Sequence, residues 1–355
     1  MSKKLVTYLV IFSSFTFVLV LAFLVISKFK SVNPPPTTLL PKINPVKTNN
    51  PISIDYLRSL KIDSDAPTIE QELSSGSNYK RYIASYISDG NKIYGLLTVP
   101  NAEMPSGGYS AVVFVHGYIP PAQYSTTEKY VAYTDYLSKN GFVVFKIDLR
   151  GNGESQGTPT GSYFSSGYTI DTISAVKSLQ KLDYVSKDKI GLWGFSMAGN
   201  AVLRALLVDN EIKAGVIWAG AVYSYEDFAK YRLNDGSYVR RQPDPHYDAR
   251  DLNNPNSEEV SKLRSTPEEV DFSDDFWSAV SLTQNIDYLT SPVQLHHAVN
   301  DSVVNIGYSR DLVKVLSDNG KKYELYEYDG GGHNIESPYF EQAMQRTVEF
   351  FSEKL

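Results

Sequence analysis

The sequence contains no cysteine and only five histidines, which excludes several classes of site. Without cysteine there is no disulfide framework, no thiolate nucleophile and no cysteine-ligated metal. Basic residues are not in excess either: 34 Lys and Arg stand against 40 Asp and Glu, a net charge of −6. A nucleic-acid-binding protein needs a basic surface. The composition therefore argues against nucleic acid as a partner, and it leaves the oligomeric state open.

Nucleotide-binding motifs are missing as well. No Gly-Lys-Ser/Thr sequence is present to form a P-loop. The glycines of residues 148–157 are spaced G-x-G-x-x-x-G, and no helix is predicted to begin on them, so a dinucleotide fingerprint is not met. His116 has no histidine or carboxylate at ligand spacing that would complete a metal site. We therefore expect no cofactor and no metal.

A long apolar run occurs at the amino terminus, from Leu5 to Ile26, with two lysines on either side. About 22 residues rising 1.5 Å each match a hydrocarbon core of ~30 Å, and no small-residue cleavage site follows. We predict a transmembrane anchor over residues 1–30 rather than a cleaved signal peptide. Residues 31–52 are rich in proline and predict an extended linker to the lipid bilayer. Two lysines lie on each side of the run, so the positive-inside rule gives little preference for one orientation. We expect a single-pass protein whose main domain is extracytoplasmic.

Residues 53–355 predict one α/β domain. An antiparallel hairpin precedes repeated strand–helix units, so we expect a mostly parallel eight-stranded sheet with helices on both faces. The predicted strands are Arg81–Ile87, Lys92–Val99, Ala111–Val115, Phe142–Ile147, Lys189–Trp193, Ala214–Trp218, Val293–Ala298 and Tyr323–Tyr328. The predicted helices are Glu128–Lys139, Thr169–Leu182, Met197–Val208, Ile306–Asp318 and Pro338–Lys354.

A long insertion follows the sixth predicted strand, at residues 224–291. Its length far exceeds an ordinary connection, and we expect a small helical lid. It contains 14 acidic and seven basic residues, so the acidity of the chain is concentrated there. This charge indicates either a solvated surface or a rim that attracts cationic substrates.

The strongest motif is Gly194-Phe195-Ser196-Met197-Ala198-Gly199, between a predicted strand and an apolar helix. A sharp strand-to-helix turn strains the backbone of its central residue and projects that side chain from the sheet. We predict that Ser196 is a nucleophile. A glycine-rich turn with a passive serine is the alternative, because short motifs recur by chance.

A serine nucleophile needs a base and an acid that orients the base. His333 lies in a glycine-rich loop just after the last predicted strand, where such a base belongs. Asp301 follows the preceding strand and gives the chain order Ser, Asp, His. We predict both as catalytic, with Glu226 or Asp227 as a rival acid.

The other histidines are weaker candidates for the base. His296 and His297 lie inside an apolar strand, and His246 lies within the insertion. We expect one of the adjacent pair to point into the core and the other toward a helix, and His246 to lie at the surface.

Acyl transfer also needs backbone N–H groups that stabilise the oxyanion. We assign one to Met197, directly after the predicted nucleophile. The other is assigned to Tyr118, in the loop that follows the third predicted strand, with His116 and Gly117 shaping the turn.

Taken together, these motifs resemble the α/β-hydrolase superfamily, in particular the catalytic domain of prolyl oligopeptidase-like (S9) serine peptidases and related esterases. The matching motifs are Gly95-Leu96-Leu97-Thr98-Val99-Pro100, His116-Gly117, Asp148-Leu149-Arg150-Gly151-x-Gly153-x-Ser155, the Ser196 motif, His297-x-x-x-Asp301-x-x-Val304 and Gly332-His333. The resemblance implies a Ser196–Asp301–His333 triad, an acyl-enzyme and no cofactor.

The resemblance is imperfect, and substrates stay open. Ala198 and Ala298 replace usual family glycines, and the sequence has no room for the β-propeller of large S9 peptidases. The expected substrate is a small ester or a short peptide. A catalytically silent, membrane-tethered binding module is the alternative.

Overall fold

A computed structural model describes residues 50–233 and 257–355. The predicted anchor, most of the linker and residues 234–256 of the insertion lie outside these ranges. Within the described ranges, no helix is long and apolar enough to cross a membrane. Bilayer attachment and the location of the domain therefore stay predictions from the sequence.

One nine-stranded sheet organises the domain. Its strands are β1 (Thr68–Leu73), β2 (Tyr79–Ser88), β3 (Asn91–Pro100), β4 (Tyr109–Val115), β5 (Val143–Ile147), β6 (Val185–Phe195), β7 (Ala214–Trp218), β8 (Val293–Ala298) and β9 (Tyr323–Tyr328). They lie in the order β1-β2-β3-β5-β4-β6-β7-β8-β9. The pairs from β1 to β5 are antiparallel and the pairs from β5 to β9 are parallel. The predicted mostly parallel sheet is confirmed.

The number of strands was predicted wrongly, because β1 was missed. This strand pairs only with β2 and has five exposed residues and one half-buried residue. Because neither face of this strand is buried, its sequence does not alternate between apolar and polar residues. Glu70 accepts a hydrogen bond from Ser85 at 2.6 Å and pairs with Lys92 at 2.7 Å. Charged residues of this kind are typical of an edge strand.

Helices cover both faces of the sheet, as predicted. They are α1 (Ile54–Ser59), α2 (Val131–Lys139), α3 (Gly167–Leu179), α4 (Ala198–Val208), α5 (Tyr225–Tyr231), α6 (Ser257–Ser265), α7 (Asp275–Val280), α8 (Gly307–Asp318) and α9 (Phe340–Lys354). The larger apolar cluster contains residues of α3, α4 and α8, and the smaller one contains residues of α2 and α9. Alternate residues of β4 enter the two clusters, so the central strands are buried on both faces.

Glycines end the elements where the sequence indicated turns. Asp89 and Gly90 have φ of 50° and 76°, which fits the tight turn between β2 and β3. Gly141 follows α2 with φ of 89°, and Gly320 follows α8 with φ of 62°. Both occupy the left-handed position after a helix that favours glycine.

The described parts of the insertion between β7 and β8 contain the helices α5, α6 and α7, joined by turns and short 3₁₀ segments. Tyr225 of α5 stacks on Phe164 with ring centroids 5.5 Å apart, and Arg264 of α6 lies 5.2 Å from the same Phe164 ring. Tyr231 donates a hydrogen bond to Asp311 of α8 at 2.6 Å. These contacts attach the insertion to the segment before α3 and to α8. Its role as a lid stays a prediction.

Candidate active site

The predicted site residues lie in loops at one edge of the sheet. Ser196 follows β6, Asp301 follows β8, and His333 follows β9. Tyr118 follows β4, which is the neighbour of β6. Because these strands are parallel, their carboxyl ends meet at the same edge, where ligands bind in open α/β sheets.

Ser196 occupies the strained turn that its motif predicted. Its φ is 54°, a left-handed conformation that is uncommon for a residue with a side chain. A Cβ on Gly194 would lie 2.6 Å from Val202 Cγ2, and one on Gly199 would lie 2.7 Å from Gly220 Cα. These two glycines therefore allow α4 to approach the sheet directly behind the serine. Ala198 is accommodated, because the close approach occurs at Gly199.

Three side chains form a hydrogen-bonded chain at this edge. His333 Nε2 lies 3.0 Å from Ser196 Oγ, and His333 Nδ1 lies 2.8 Å from Asp301 Oδ2. A carboxylate only accepts, so Nδ1 carries the proton and Nε2 can accept from the serine hydroxyl. Ser196 itself is buried, with 5 % of its surface exposed. The structure thus brings together the three residues that the sequence singled out.

Asp301 is held ionised in a buried position. Its Oδ1 accepts the Val303 and Val304 N–H groups at 2.8 and 3.0 Å. Burial by itself raises the pKa of this carboxyl, but hydrogen bonds from His297, His333 and the Val304 amide outweigh it and hold the pKa well below its usual range. A carboxylate in this state can orient a neighbouring imidazole over a wide range of pH.

The loop that carries His333 is tied to its surroundings. Gly332 donates its N–H to Asn300 Oδ1 at 3.0 Å, which joins this loop to the Asp301 loop. Tyr133 donates to the Asn334 carbonyl at 3.1 Å. The His333 ring lies 4.8 Å from the ring of Phe195, the residue before the serine. The imidazole is therefore positioned from three sides.

The loop after β4 approaches the serine from the opposite side. A Cβ on Gly117 would lie 3.0 Å from the Phe195 carbonyl oxygen, so this glycine allows the loop to contact the end of β6. Gly117 donates its N–H to Tyr130 Oη at 3.0 Å, and His116 Nδ1 contacts the Gly117 carbonyl at 2.7 Å. Tyr118 directly follows this turn, and its side chain is exposed. Met197 lies next to the serine at the start of α4.

A buried lysine beneath this loop was missed in the sequence. Lys146 of β5 is fully buried and donates from Nζ to the Thr126 and Lys129 carbonyls at 2.6 and 2.8 Å. Burial lowers its pKa to about 8, although Asp148 offsets part of the shift. Asp148 accepts hydrogen bonds from Tyr124, at 2.6 Å, and from Thr126. A lysine within the otherwise apolar sequence of β5 is the signal that could have indicated a buried group in contact with this loop.

The rival candidates lie elsewhere. Asp227 interacts with Ser224 of the insertion and with Asp311 of α8. His333 pairs with Asp301 instead. Glu226 is exposed on α5. His296 contacts Tyr328 and Gln294 on the α9 side of the sheet. His246 lies outside the described residues.

No metal site is apparent in the part of the chain that is described. Residues 50–233 and 257–355 contain no group of three or more His, Asp or Glu side chains that could hold an ion. The groups described at the site itself are a hydroxyl, an imidazole and a carboxylate.

Residues 109–337 match the protein family described as "Serine aminopeptidase, S33". The "Uncharacterized peptidase YtmA" of Bacillus subtilis is 25% identical over 73% of this chain and 88% of its own length. A "Probable dipeptidyl-aminopeptidase B" of Talaromyces marneffei is 22% identical over 82% of this chain. The chain covers only 30% of that longer protein.

Solved structures of peptidases and esterases share the fold. The acetyl xylan esterase from Paenibacillus sp. R4 has a TM-score of 0.61 and 18% identity, covering 86% of this chain and 95% of the other. Porphyromonas gingivalis dipeptidyl peptidase 4 has a TM-score of 0.58 and 18% identity, covering 78% of this chain and 36% of the other. The expected α/β-hydrolase fold is confirmed.

Proposed function

Because the chain belongs to the serine aminopeptidase S33 family of α/β-hydrolases, we propose that it hydrolyses small esters or short peptides through an acyl-enzyme on Ser196. The observation that carries this proposal is the hydrogen-bonded chain from Ser196 through His333 to Asp301. The left-handed φ of Ser196 adds support, because strained backbone conformations of this kind cluster at active sites.

The proposed reaction has two half-reactions. Ser196 Oγ attacks the substrate carbonyl while its proton moves to His333 Nε2, and Asp301 stabilises the resulting imidazolium. The Met197 and Tyr118 N–H groups stabilise the tetrahedral oxyanion. His333 then protonates the leaving alcohol or amine, which leaves an acyl group on Ser196. Water, deprotonated by His333, attacks this ester and releases the acid.

The relatives support both kinds of bond. The similar proteins of comparable length include one named as a peptidase and one named as an acetyl xylan esterase. An ester and an amide require the same nucleophile, base and oxyanion donors, and they differ in the leaving group that His333 protonates. The proposal therefore covers both substrates, and a direct comparison of them decides between the two.

A labelling experiment tests the enzyme and its nucleophile together. We expect a fluorophosphonate to label Ser196 in the wild-type protein and to leave Ser196→Ala unlabelled. Hydrolysis should fall by at least ~10³-fold in this variant with the fold intact. Turnover of p-nitrophenyl acetate against a series of aminoacyl anilides then identifies the bond. A folded wild-type protein that is neither labelled nor active would leave the binding-module alternative.

A further inference from the structure

Two adjacent histidines of β8, His296 and His297, are both fully buried. Neighbouring residues of a strand point to opposite faces of the sheet. His296 Nδ1 contacts Tyr328 Oη at 2.8 Å and its Nε2 contacts Gln294 Oε1 at 2.7 Å. His297 instead faces the loop that contains Asp301. The pair therefore offers two similar imidazoles, of which only one lies near the proposed triad.

The contacts of His297 identify its tautomer. His297 Nε2 lies 3.0 Å from the Val304 carbonyl oxygen, which can only accept, so Nε2 carries a hydrogen. Nδ1 lies 2.8 Å from Ser309 Oγ and accepts from that hydroxyl. Both ring nitrogens thus have a hydrogen-bond partner, and the imidazole has a fixed orientation.

The same nitrogen also lies close to the carboxylate of Asp301. It lies 3.3 Å from Asp301 Oδ2, the oxygen that accepts from His333 at 2.8 Å. The other oxygen, Oδ1, is occupied by the Val303 and Val304 amides. Without His297, the reactive oxygen of the carboxylate would be held by His333 alone.

We propose that His297 is a positioning residue that holds Asp301 Oδ2 toward His333 through its Nε2–H, so that a second histidine supports the triad from behind. The inference rests on the proposed function, because positioning of Asp301 matters only if His333 acts as a base. Ser309 takes part indirectly, because its hydroxyl fixes the tautomer that directs the N–H toward the carboxylate.

Few charged groups surround this arrangement. Asp301 and His333 lie on the adjoining loops. Glu327 of β9 faces His297 from the neighbouring strand, and it is paired with Arg310 of α8 at 2.7 Å. Removing the His297 N–H would leave more negative charge on Oδ2 to interact with His333, which favours the imidazolium. The acid limb of the pH profile should therefore move to higher pH.

Three variants test the inference. We expect His297→Leu to lower kcat roughly 10- to 100-fold, the loss associated with a hydrogen bond to a charged group, with KM changed by less than about twofold. The acid limb of kcat/KM should also move upward. His297→Gln retains an N–H near the original position and should recover most of kcat. His296→Leu, which removes an equally buried imidazole, should retain kcat and the pH profile.

Equal kcat losses in His297→Leu and His296→Leu, or an unmoved acid limb, would overturn the inference. If His297→Leu does not fold, Ser309→Ala takes its place, with an expected fall in kcat of about two- to fivefold and the same shift of the limb. An unchanged profile in that variant would refute the proposal equally. A wild-type protein that resists fluorophosphonate and hydrolyses nothing refutes the proposed function itself, which keeps the two failures distinguishable.

Discussion

Two loops flank Ser196, and they are held in place by different means. On the acid–base side, Asp301 and His333 are fixed by hydrogen bonds to one another and to adjacent amides. On the oxyanion side, the loop that contains Tyr118 is held by Lys146 of β5 and by Asp148, which directly follows that strand.

The difference shows which residues sequence reasoning can recover. On the acid–base side, the proposed acid and base have chemically informative residue types, and the amides that hold Asp301 lie only two and three residues from it. On the oxyanion side, the proposed donors are backbone amides, which any residue provides. Their positions depend on side chains from another strand. Substitutions on the two sides should therefore differ in size and in kind.

The largest effect is expected on the acid–base side. Asp301→Asn removes the charge that stabilises the His333 imidazolium and offers an amide that favours the wrong tautomer of the base. We expect kcat to fall by ~10³- to 10⁴-fold, measured on whichever substrate the wild-type protein turns over. Asp227→Asn, the same substitution at the rival acid, serves as the control and should retain activity. If Asp227→Asn lost activity and Asp301→Asn retained it, the acid would be Asp227 of the insertion.

A smaller effect is expected from Lys146→Met on the oxyanion side. The variant loses the Nζ contacts with the Thr126 and Lys129 carbonyls, so the loop before α2 should loosen and kcat should fall about tenfold. The KM should change less. Lys177→Met, at a mostly buried lysine paired with Asp209 and Glu211, is the matched control. A folded Lys146→Met protein with wild-type kcat would show that this lysine does not support the site.

The same variant makes a prediction about pH and stability. Burial lowers the pKa of Lys146 to about 8, below its ordinary value of 10.5. Between these pH values the unfolded chain binds more protons than the folded one, so this group makes the free energy of unfolding rise with pH. Urea unfolding from pH 7.5 to 10.5 should show a smaller rise in Lys146→Met. Parallel curves for the two proteins would contradict the assignment.

The smallest effect is expected at Asp227, and it concerns stability alone. Burial raises the pKa of this half-buried carboxyl to about 6, and Asp311 adds to the shift. The folded chain therefore binds more protons than the unfolded one between about pH 4 and 6, and stability falls as the pH rises through that range.

Because asparagine does not ionise, Asp227→Asn should be more stable than the wild-type protein at pH 7.5. Solvent screening reduces the gain to about 1 kcal/mol. Thermal unfolding at pH 4 and at pH 7.5 measures the difference, which should vanish at the lower pH. A gain of equal size at both pH values would show that ionisation of Asp227 is not its cause.

Most of the sheet was predictable because buried parallel strands are continuous apolar runs. All eight predicted strands are present, and the residues of β5 and β7 are buried throughout. The exposed edge strand β1 was missed because its polar sequence has no periodic pattern. The Ser196 turn was predictable because its glycines are required by close contacts with Val202 and Gly220.

The sequence by itself determined the fold class, the order Ser196, Asp301 and His333, and the loops that contain them. These features depend on local rules: apolar runs, glycine at strained turns and chemically reactive residue types. Only the tertiary structure decided that His297 rather than His296 faces Asp301, and that Lys146 supports the loop of Tyr118. Those contacts depend on which face of a strand each side chain occupies and on which loop folds over it, and residue type and spacing alone do not specify either.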